Sequence, residues 1–463
     1  MDTEFLARLL AELARKYHVP GAQLVLYRDG QALSAETGYE RHGTGSRVSR
    51  ESSFPLGSVT KSFTATVVMQ LVSDGDVDLD EPIGTYLQEL ETAQNRVGQI
   101  VTARHLLSHT GGLPSDFDPV GVSAPTLRRY ALGCGDLRLI CRPGLAFSYS
   151  NVGFVLAGRL IEAVTGMSWW EAAESMLLGP LGIEPAFCAE PRIPARRWPS
   201  VSGHSVNLAR DKVISVDVAS PVFLAPVGGL ACSASDLVKF GRMHIGPAAG
   251  PLDADHLGLM RQGAAGAVPF GLADEWGLGL ARFRTELADW FGHDGTHRGT
   301  TCHLRFDPAR GTVLAVTTNA SAAGLRLWEG VLRGLRDTGL DVGSYRMPQA
   351  AANRTSDKPD CVGRYVNGDI RYSVSRDDDG ALRIDLGNGI PAQMTFYDGL
   401  VFSARDEAGD ELPIIGRFVC DPDDNEIALM DIGGRVARRS RPAIADEGAT
   451  RSSPGNVEVQ SAT

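Results

Sequence analysis

The chain has 463 residues, of which 43% are hydrophobic and 22% are charged. This balance is that of a soluble globular protein, and it excludes a mostly disordered chain, a collagen-like chain and a small disulfide scaffold. The length corresponds to roughly two to three domains. A net charge of -11 argues against nucleic acid as a partner, because a nucleic-acid binder needs a basic face.

The cysteines and the N-terminus both bear on the compartment. The chain has 7 cysteines, an odd number, and no Cys-x-x-Cys pair, which is typical of free thiols in a reducing environment. Charged residues interrupt every apolar stretch of the N-terminus, and no apolar run is long enough to span a membrane. We therefore expect a cytoplasmic protein with no signal peptide and no membrane partner.

The first half of the chain begins with a helix and a hairpin and then becomes mainly helical. Apolar residues recur with the helical period near the N-terminus, and an Asp-Gly turn separates two β-prone runs. The next helix is apolar nearly all round, so we expect it to be buried. The predicted elements are a helix over 3–17, strands over 22–27 and 32–38, and helices over 59–73, 152–165, 168–178 and 235–244.

The last part of the chain returns to β character. Strands at both ends of a region with helices between them indicate one antiparallel sheet built from sequence-distant pieces, an α/β (α+β) fold. Short alternating strands with Asn-Gly and Asp-Gly turns then predict a small barrel or sandwich. The predictions are strands over 276–283, 289–292, 300–307 and 312–318, a helix over 322–338, a first domain over 1–345 with a helical insert at about 60–250, a linker over 346–359, a β domain over 360–440 and a disordered tail over 441–463.

Ser58 and Lys61 open the predicted buried helix. Residues three apart on a helix are neighbours, so the hydroxyl and the amine can share one face. A serine needs a base to take its proton, and a lysine between apolar walls loses its charge more easily and can be that base. The alternative is a helix N-cap at Ser58 with a solvated Lys61. Lys61 is oddly placed for that role, because its helix is otherwise apolar.

Two further short motifs carry candidate chemistry. Tyr149 precedes a predicted helix and can pass a proton, and Asn151 can hold a substrate carbonyl and orient the lysine amine. His293 and Gly295 end a predicted strand, where glycine allows a close backbone approach and the Thr296 N–H can join the Ser58 N–H as an oxyanion hole. Each motif alone also fits a structural turn.

Two pairs of histidines have the spacing of zinc ligands. His105 and His109 are four residues apart, as are His293 and His297. No glutamate completes a His-Glu-x-x-His arrangement, so ordinary polar or core histidines are the better interpretation. We predict no metal and no other cofactor.

The order of these motifs resembles the penicillin-recognising serine hydrolases. That family includes class C β-lactamases, penicillin-binding DD-peptidases, D-aminopeptidases, esterases and transesterases. Residues 54–58, 106–113 and 226–230 also resemble it, and the resemblance spans about 5–338. It implies a β-lactamase-like sheet with a helical subdomain, Ser58 as the nucleophile, Lys61 as the base and Tyr149 as the proton shuttle. The C-terminal strands resemble a β-barrel appendage of some members.

His293 stands where β-lactamases and DD-peptidases usually carry a lysine that holds the substrate carboxylate. A neutral histidine does this poorly, and esterases, D-aminopeptidases and transesterases of the family often have His-x-Gly. We therefore expect a small-molecule acyl donor and acceptor, with an acyl-Ser58 intermediate passed to an amine, an alcohol or water. A biosynthetic transacylase of secondary metabolism and an esterase are close rivals. A β-lactamase or D-amino-acid peptidase and a non-catalytic binding protein are the alternatives, and the oligomeric state stays open.

Overall fold

The protein is described here by a computed structural model. It describes residues 1–91, 96–118, 126–190, 192–193, 196–210, 212–246, 250–266, 268–346, 353–355, 359–405 and 414–440. Most of the predicted linker at 346–359 and the whole predicted tail at 441–463 lie outside these residues.

The strands fall into a long N-terminal group and a shorter C-terminal group. In chain order they are β1 Gly21–Arg28, β2 Gln31–Gly38, β3 Phe54–Pro55, β4 Ala186–Phe187, β5 Ala189–Glu190, β6 Gly203–Asn207, β7 Lys212–Val216, β8 Ser220–Pro221, β9 Leu230–Cys232, β10 Glu275–Trp276, β11 Ala281–Arg284, β12 Asp289–His297, β13 Thr300–Asp307, β14 Thr312–Thr318, β15 Gly363–Asn367, β16 Ile370–Arg376, β17 Leu382–Asp385, β18 Pro391–Tyr397, β19 Val401–Arg405, β20 Ile414–Cys420, β21 Ile427–Ile432 and β22 Arg435–Ser440.

Most of the helices lie in the chain between β2 and β10. They are α1 Thr3–Lys16, α2 Thr60–Ser73, α3 Gln88–Glu91, α4 Val97–Ile100, α5 Ala103–Leu107, α6 Leu127–Gly133, α7 Asn151–Thr165, α8 Trp169–Ala172, α9 Ala225–Gly228, α10 Ala234–Met243, α11 Ala254–Arg261 and α12 Ala322–Arg336. Among the described residues, no helix is both long enough and apolar enough to cross a lipid bilayer.

The main sheet joins the two ends of the N-terminal region, as predicted. Its order within the described residues is β10-β11-β12-β13-β14-β1-β2, and β1 pairs antiparallel with β14. Successive side chains of a strand point to opposite faces, so Leu24 and Val25 enter different cores. Leu24 packs with α1 and α12 on one face, and Val25 packs with α2 and α10 on the other. The sheet is thus covered on both faces.

The C-terminal strands close into a barrel rather than a sandwich. Within the described residues the barrel runs from β15 to β22, and these two strands pair with each other to complete it. Tyr365, Phe402 and Phe418 are buried inside it. Closure leaves no free sheet edge, which suits an all-β unit of this size.

The chain departs from the predicted elements at three places. The predicted strand over 276–283 is two short strands, β10 and β11, because Gly279 adopts a left-handed φ of +74° and the chain turns there. The predicted strand over 289–292 continues to His297 as β12. The predicted helix over 168–178 is α8 followed by a π-helical turn from Ala173 to Leu178. The extension of β12 changes the site, because it places His293–Thr296 in a strand.

Candidate active site

Ser58 and Lys61 stand side by side at the start of α2. A 3₁₀ turn over Gly57–Val59 leads into the helix, and its geometry leaves Ser58 half-buried while Lys61 is fully buried. The Lys61 Nζ lies 3.1 Å from the Ser58 Oγ and donates a hydrogen bond to the carbonyl of Val227 at 3.2 Å. Two contacts therefore hold the amine against the hydroxyl.

The environment of Lys61 favours the neutral amine. Burial holds the pKa of Lys61 well below its usual value, and the positive charge of Arg435 acts in the same direction. The negative charge of Asp116 acts in the opposite direction. Burial is the largest of the three effects, because the Lys61 side chain is fully buried and little water remains to solvate a charge. A neutral lysine next to a serine hydroxyl can accept its proton.

Tyr149 completes the cluster from the loop before α7. Its ring lies 5.0 Å from the Lys61 Nζ. Burial raises the pKa of Tyr149 well above its usual value, although the Ser58 side chain acts to lower the pKa of this phenol. The phenol therefore stays protonated at neutral pH, so it is better suited to relay a proton than to act as the first base.

Two glycines bring β12 against the nucleophile. A Cβ at Gly57 would collide with the carbonyl of Thr296, and one at Gly295 would collide with the carbonyl of Leu56. The same Cβ at Gly295 would lie 3.1 Å from the Ser58 backbone nitrogen. This close approach places the backbone of Thr296 beside that of Ser58, the arrangement an oxyanion hole requires.

His293 faces this cluster as a neutral side chain. Burial, and to a smaller extent the charge of Lys61, lowers its pKa to about 3. The Nδ1 lies 2.6 Å from the backbone carbonyl of Asp294 and donates to it, which leaves the Nε2 as an acceptor. Among the described residues the Nε2 has no hydrogen-bond partner. The His293 side chain is thus free to accept a hydrogen bond from a substrate but carries no charge to hold a carboxylate.

Asn151 does not orient the Lys61 amine, contrary to the sequence prediction. Its Nδ2 donates to the Asp116 Oδ1 at 2.7 Å, while Lys61 bonds to Ser58 and Val227. The reason is the position of Asn151 as the first residue of α7, where the loop around Ser115 passes close by. Asn151 therefore fixes a carboxylate near the site.

An aromatic cluster supports Tyr149. The ring of His109 stacks on the Tyr149 ring with centroids 4.3 Å apart, and the His109 Nδ1 accepts from the Ser150 backbone at 3.0 Å. Trp276 and Phe147 complete the cluster. These aromatic rings leave Tyr149 little freedom to turn, so its phenol stays directed at Ser58.

The C-terminal barrel reaches this cluster through the turn between β21 and β22. The Tyr149 backbone N–H donates to the carbonyl of Gly434 at 2.8 Å, and the Val436 N–H donates to the Ser148 Oγ at 3.3 Å. The guanidinium of Arg435 lies 5.2 Å from the Tyr149 ring centroid. A cation over an aromatic face is attracted by the ring. The barrel therefore contributes backbone contacts and a charge to the site.

Replacing Arg435 is expected to move the pH dependence of acylation. Arg435→Gln removes a positive charge that lowers the Lys61 pKa, so that pKa rises and less neutral amine exists at a given pH. His109, His293 and Tyr149 also surround Lys61, and burial disfavours the charged form of each. The acidic limb of the rate of fluorophosphonate labelling at Ser58 should move to higher pH by about one unit.

Arg438→Gln is the matched control for this measurement. Arg438 is exposed on the same strand, and its charge acts on Cys141 rather than on Lys61. The acidic limb of the labelling rate of Arg438→Gln should coincide with that of the unsubstituted protein. A limb that stays in place or moves to lower pH in Arg435→Gln would contradict the electrostatic role of Arg435.

Four contributors to this site are not predicted by the sequence motifs. Arg435 and Gly434 belong to the barrel. Asp116 follows the stretch 106–113, whose only signal is its resemblance to the family. The carbonyl of Val227, in the stretch 226–230, is a backbone group that no side-chain pattern reveals. Asp116 could have been suspected as an acidic residue just beyond a motif, but nothing local marks Arg435.

Comparisons with known proteins show the family of the chain. The Beta-lactamase family model matches residues 6–327. Penicillin-binding protein 4 of Amycolatopsis lactamdurans is 34% identical over 320 residues, which cover 67% of this chain and 84% of that protein. A D-stereospecific amidohydrolase from Streptomyces sp. is 26% identical, with a TM-score of 0.57 over 71% of this chain and 98% of that chain.

A crystal structure of SurE matches over both the sheet and the barrel. It is 39% identical, with a TM-score of 0.87 over 95% of this chain and 99% of that chain. A structure of SurE with D-Leu is also 39% identical, with a TM-score of 0.84 over the same shares. The match of the family model over most of the chain confirms the resemblance to these serine hydrolases, and the chain belongs to the Beta-lactamase family.

Proposed function

We propose that the chain is a serine transacylase that takes an acyl group ending in a D-amino acid residue from a small ester or amide. The observation that carries the proposal is the buried Lys61 amine at 3.1 Å from the Ser58 Oγ, with its pKa held low. The D-configuration is inferred from the relatives, since a SurE structure holds D-Leu and an amidohydrolase relative is D-stereospecific.

The first half-reaction forms the acyl-enzyme. Lys61 accepts the Ser58 proton, the Ser58 oxygen bonds to the donor carbonyl carbon, and the negative charge on the carbonyl oxygen meets the N–H groups of Ser58 and Thr296. The bond to the leaving group then breaks, and the leaving group receives a proton from Tyr149, which regains one from Lys61. Acyl-Ser58 and the free leaving group are the products.

The second half-reaction reverses these roles with a new nucleophile. An amine or alcohol bonds to the acyl carbon, the bond to the Ser58 oxygen breaks, and the acceptor's proton passes through Tyr149 to Ser58. Phe147 and Trp276 form an apolar wall beside Tyr149, which helps a bound acceptor compete with water. Hydrolysis follows the same route when water takes the acceptor's place, so an esterase remains the close alternative.

The setting we propose is biosynthesis of a secondary metabolite, such as an antibiotic, in the cytoplasm. None of the seven cysteines forms a disulfide bond, which suits a reducing compartment. A neutral His293 gives little support to a β-lactamase or peptidase that must hold a substrate carboxylate by charge. The small-molecule donor and acceptor are the expected partners.

The test measures the fate of the acyl group. The protein is incubated with activated esters of N-acetyl-D-leucine and N-acetyl-L-leucine, with and without amines and alcohols. We expect the D-ester to acylate Ser58 at least about tenfold faster, a ratio typical of one extra pocket contact, and the transfer product to exceed free acid. Free acid as the only product with every acceptor would leave an esterase and overturn the transacylase.

A further inference from the structure

Asp116 is an exposed carboxylate held beside the catalytic loop. The Asn151 Nδ2 donates to its Oδ1 at 2.7 Å, and Asn151 follows Tyr149 by two residues. Among the described residues, no lysine, arginine or histidine forms an ion pair with Asp116. The carboxylate is therefore fixed in place by a neutral amide, with its charge left unneutralised.

The loop that carries Asp116 is clamped on two sides. On one side the Asn151 backbone N–H donates to the carbonyl of Ser115 at 2.7 Å. On the other side the Ser115 N–H donates to the Asn367 Oδ1 of the barrel at 2.8 Å, and the Asn367 Nδ2 donates to the Ser115 Oγ at 2.9 Å. Such a clamp holds the carboxylate in one position before any substrate arrives, which lowers the cost of binding.

Asp116 differs from the other carboxylate that acts on Tyr149. The charges of Arg435, Asp116 and Asp294 all bear on the Tyr149 phenol. Asp294 is neutralised, because the His303 Nδ1 lies 2.7 Å and the Arg305 Nη2 lies 2.8 Å from its carboxylate oxygens. Of these two carboxylates, Asp116 is thus the one whose charge is free to attract a ligand.

A positively charged acceptor needs a carboxylate near the Tyr149 phenol. Arg435 lies over one face of Tyr149, so an ammonium that approaches the phenol meets a like charge. A fixed carboxylate on the approach offsets that repulsion, and hydrogen bonds between ammonium and carboxylate are among the stronger ones in proteins. An alcohol or a water molecule gains no such attraction.

We propose that Asp116 is the docking group for the ammonium of the acceptor, so that the acceptor class is a primary amine. The inference rests on the proposed transacylase and names its second substrate. The docked ammonium loses one proton to solvent, and the neutral amine then attacks acyl-Ser58. Its remaining surplus proton passes through Tyr149 to the Ser58 oxygen as the acyl bond breaks. The products are a secondary amide and free Ser58.

The experiment compares the unsubstituted protein with Asp116→Asn. An activated ester of N-acetyl-D-leucine serves as the donor, because its blocked nitrogen leaves the acceptor as the sole source of an ammonium. The acceptors are glycinamide and phenylethylamine, which are largely protonated at neutral pH, and hydroxylamine and propanol, which are uncharged. The measurement is the ratio of transfer product to free acid against acceptor concentration.

We expect Asp116→Asn to lower that ratio about tenfold for the two ammonium acceptors, chiefly through a higher KM for the acceptor. The ratio for hydroxylamine and propanol should change less than about twofold, because a neutral nucleophile makes no ion pair. Asp118→Asn is the matched control. It removes a neighbouring exposed carboxylate that acts on Tyr130 and is not among the groups that shift the pKa of Lys61 or Tyr149.

Three results would overturn the inference. An equal loss for charged and uncharged acceptors would assign the effect to Lys61, whose pKa Asp116 also influences. An unchanged ratio for the ammonium acceptors, with transfer intact, would remove Asp116 from acceptor binding and leave the transacylase standing. Free acid as the only product of the unsubstituted protein would overturn the transacylase and the inference with it.

Discussion

Ser58→Ala is expected to lower turnover of an activated ester by about 10⁴-fold or more and to abolish the acyl-enzyme. The Ser58 Oγ is the atom that Lys61 and the Tyr149 phenol both contact, and without it the donor carbonyl has no enzyme nucleophile to bond to. Intact-mass spectrometry after mixing with the ester measures the added acyl mass, and release of the leaving group measures turnover.

Ser73→Ala provides the control for this loss. Ser73 ends the same helix, and its hydroxyl donates to the Asp253 Oδ2 at 3.0 Å, far along α2 from Lys61. The control should acylate like the unsubstituted protein. If a folded Ser58→Ala protein still gained the acyl mass or turned over the ester at a near-normal rate, another nucleophile would have to be sought.

Lys61→Met is expected to have two opposite consequences. It removes the base beside Ser58, so acylation should slow by about 10³-fold. It also removes an amine whose burial lowers the free energy of unfolding, and the methionine that replaces it has a similar volume and no charge. Chemical denaturation at several pH values measures the second effect, and fluorophosphonate labelling at Ser58 measures the first.

The pKa shift of Lys61 determines how the effect of Lys61→Met on the free energy of unfolding depends on pH. In the unfolded chain Lys61 has its usual pKa of 10.5 and is protonated at neutral pH, whereas the folded pKa is well below that value. Folding of the unsubstituted protein therefore releases a proton, and its stability falls as the pH drops from about 10.5 towards the folded pKa. Lys61→Met lacks this proton release.

The free energy of unfolding of Lys61→Met, relative to the unsubstituted protein, should accordingly increase as the pH is lowered from about 10 to 7. The slope reaches at most about 1.4 kcal/mol per pH unit. The comparison of slopes is insensitive to the lost hydrogen bond to Val227, which costs the variant a similar amount at each pH. Parallel stability curves for the two proteins would show that Lys61 stays charged when folded.

The sequence predicts the catalytic cluster best where the chemistry is local. Ser58 and Lys61 are three residues apart, so helical geometry alone brings them together. Tyr149 is reached through its order in the chain and the family resemblance, since no local pattern places it against Ser58. The hairpin of β1 and β2 is predicted well for a similar local reason, because Asp29 and Gly30 both adopt the left-handed φ that a tight turn requires.

The sequence fails where the deciding contact is distant. The strand predicted over 289–292 ends too early, because β13 pairs with β12 as far as the partners His297 and Thr300. A propensity pattern cannot supply that pairing partner. The same holds for Asn151, whose amide donates to Asp116 because a separate loop passes there, and for Arg435, which lies in the last strand of the barrel.

The contact between the β21–β22 turn and the loop of Tyr149 also bears on how the protein acquires activity during synthesis. The Val436 N–H and the Ser148 Oγ that it reaches are 288 residues apart in the chain. Folding on the ribosome proceeds largely from the N-terminus, so Ser58, Lys61 and Tyr149 emerge long before the turn that braces them. A nascent chain would hold an unbraced tyrosine and no Arg435 charge beside its lysine. The complete site would thus form only late in synthesis.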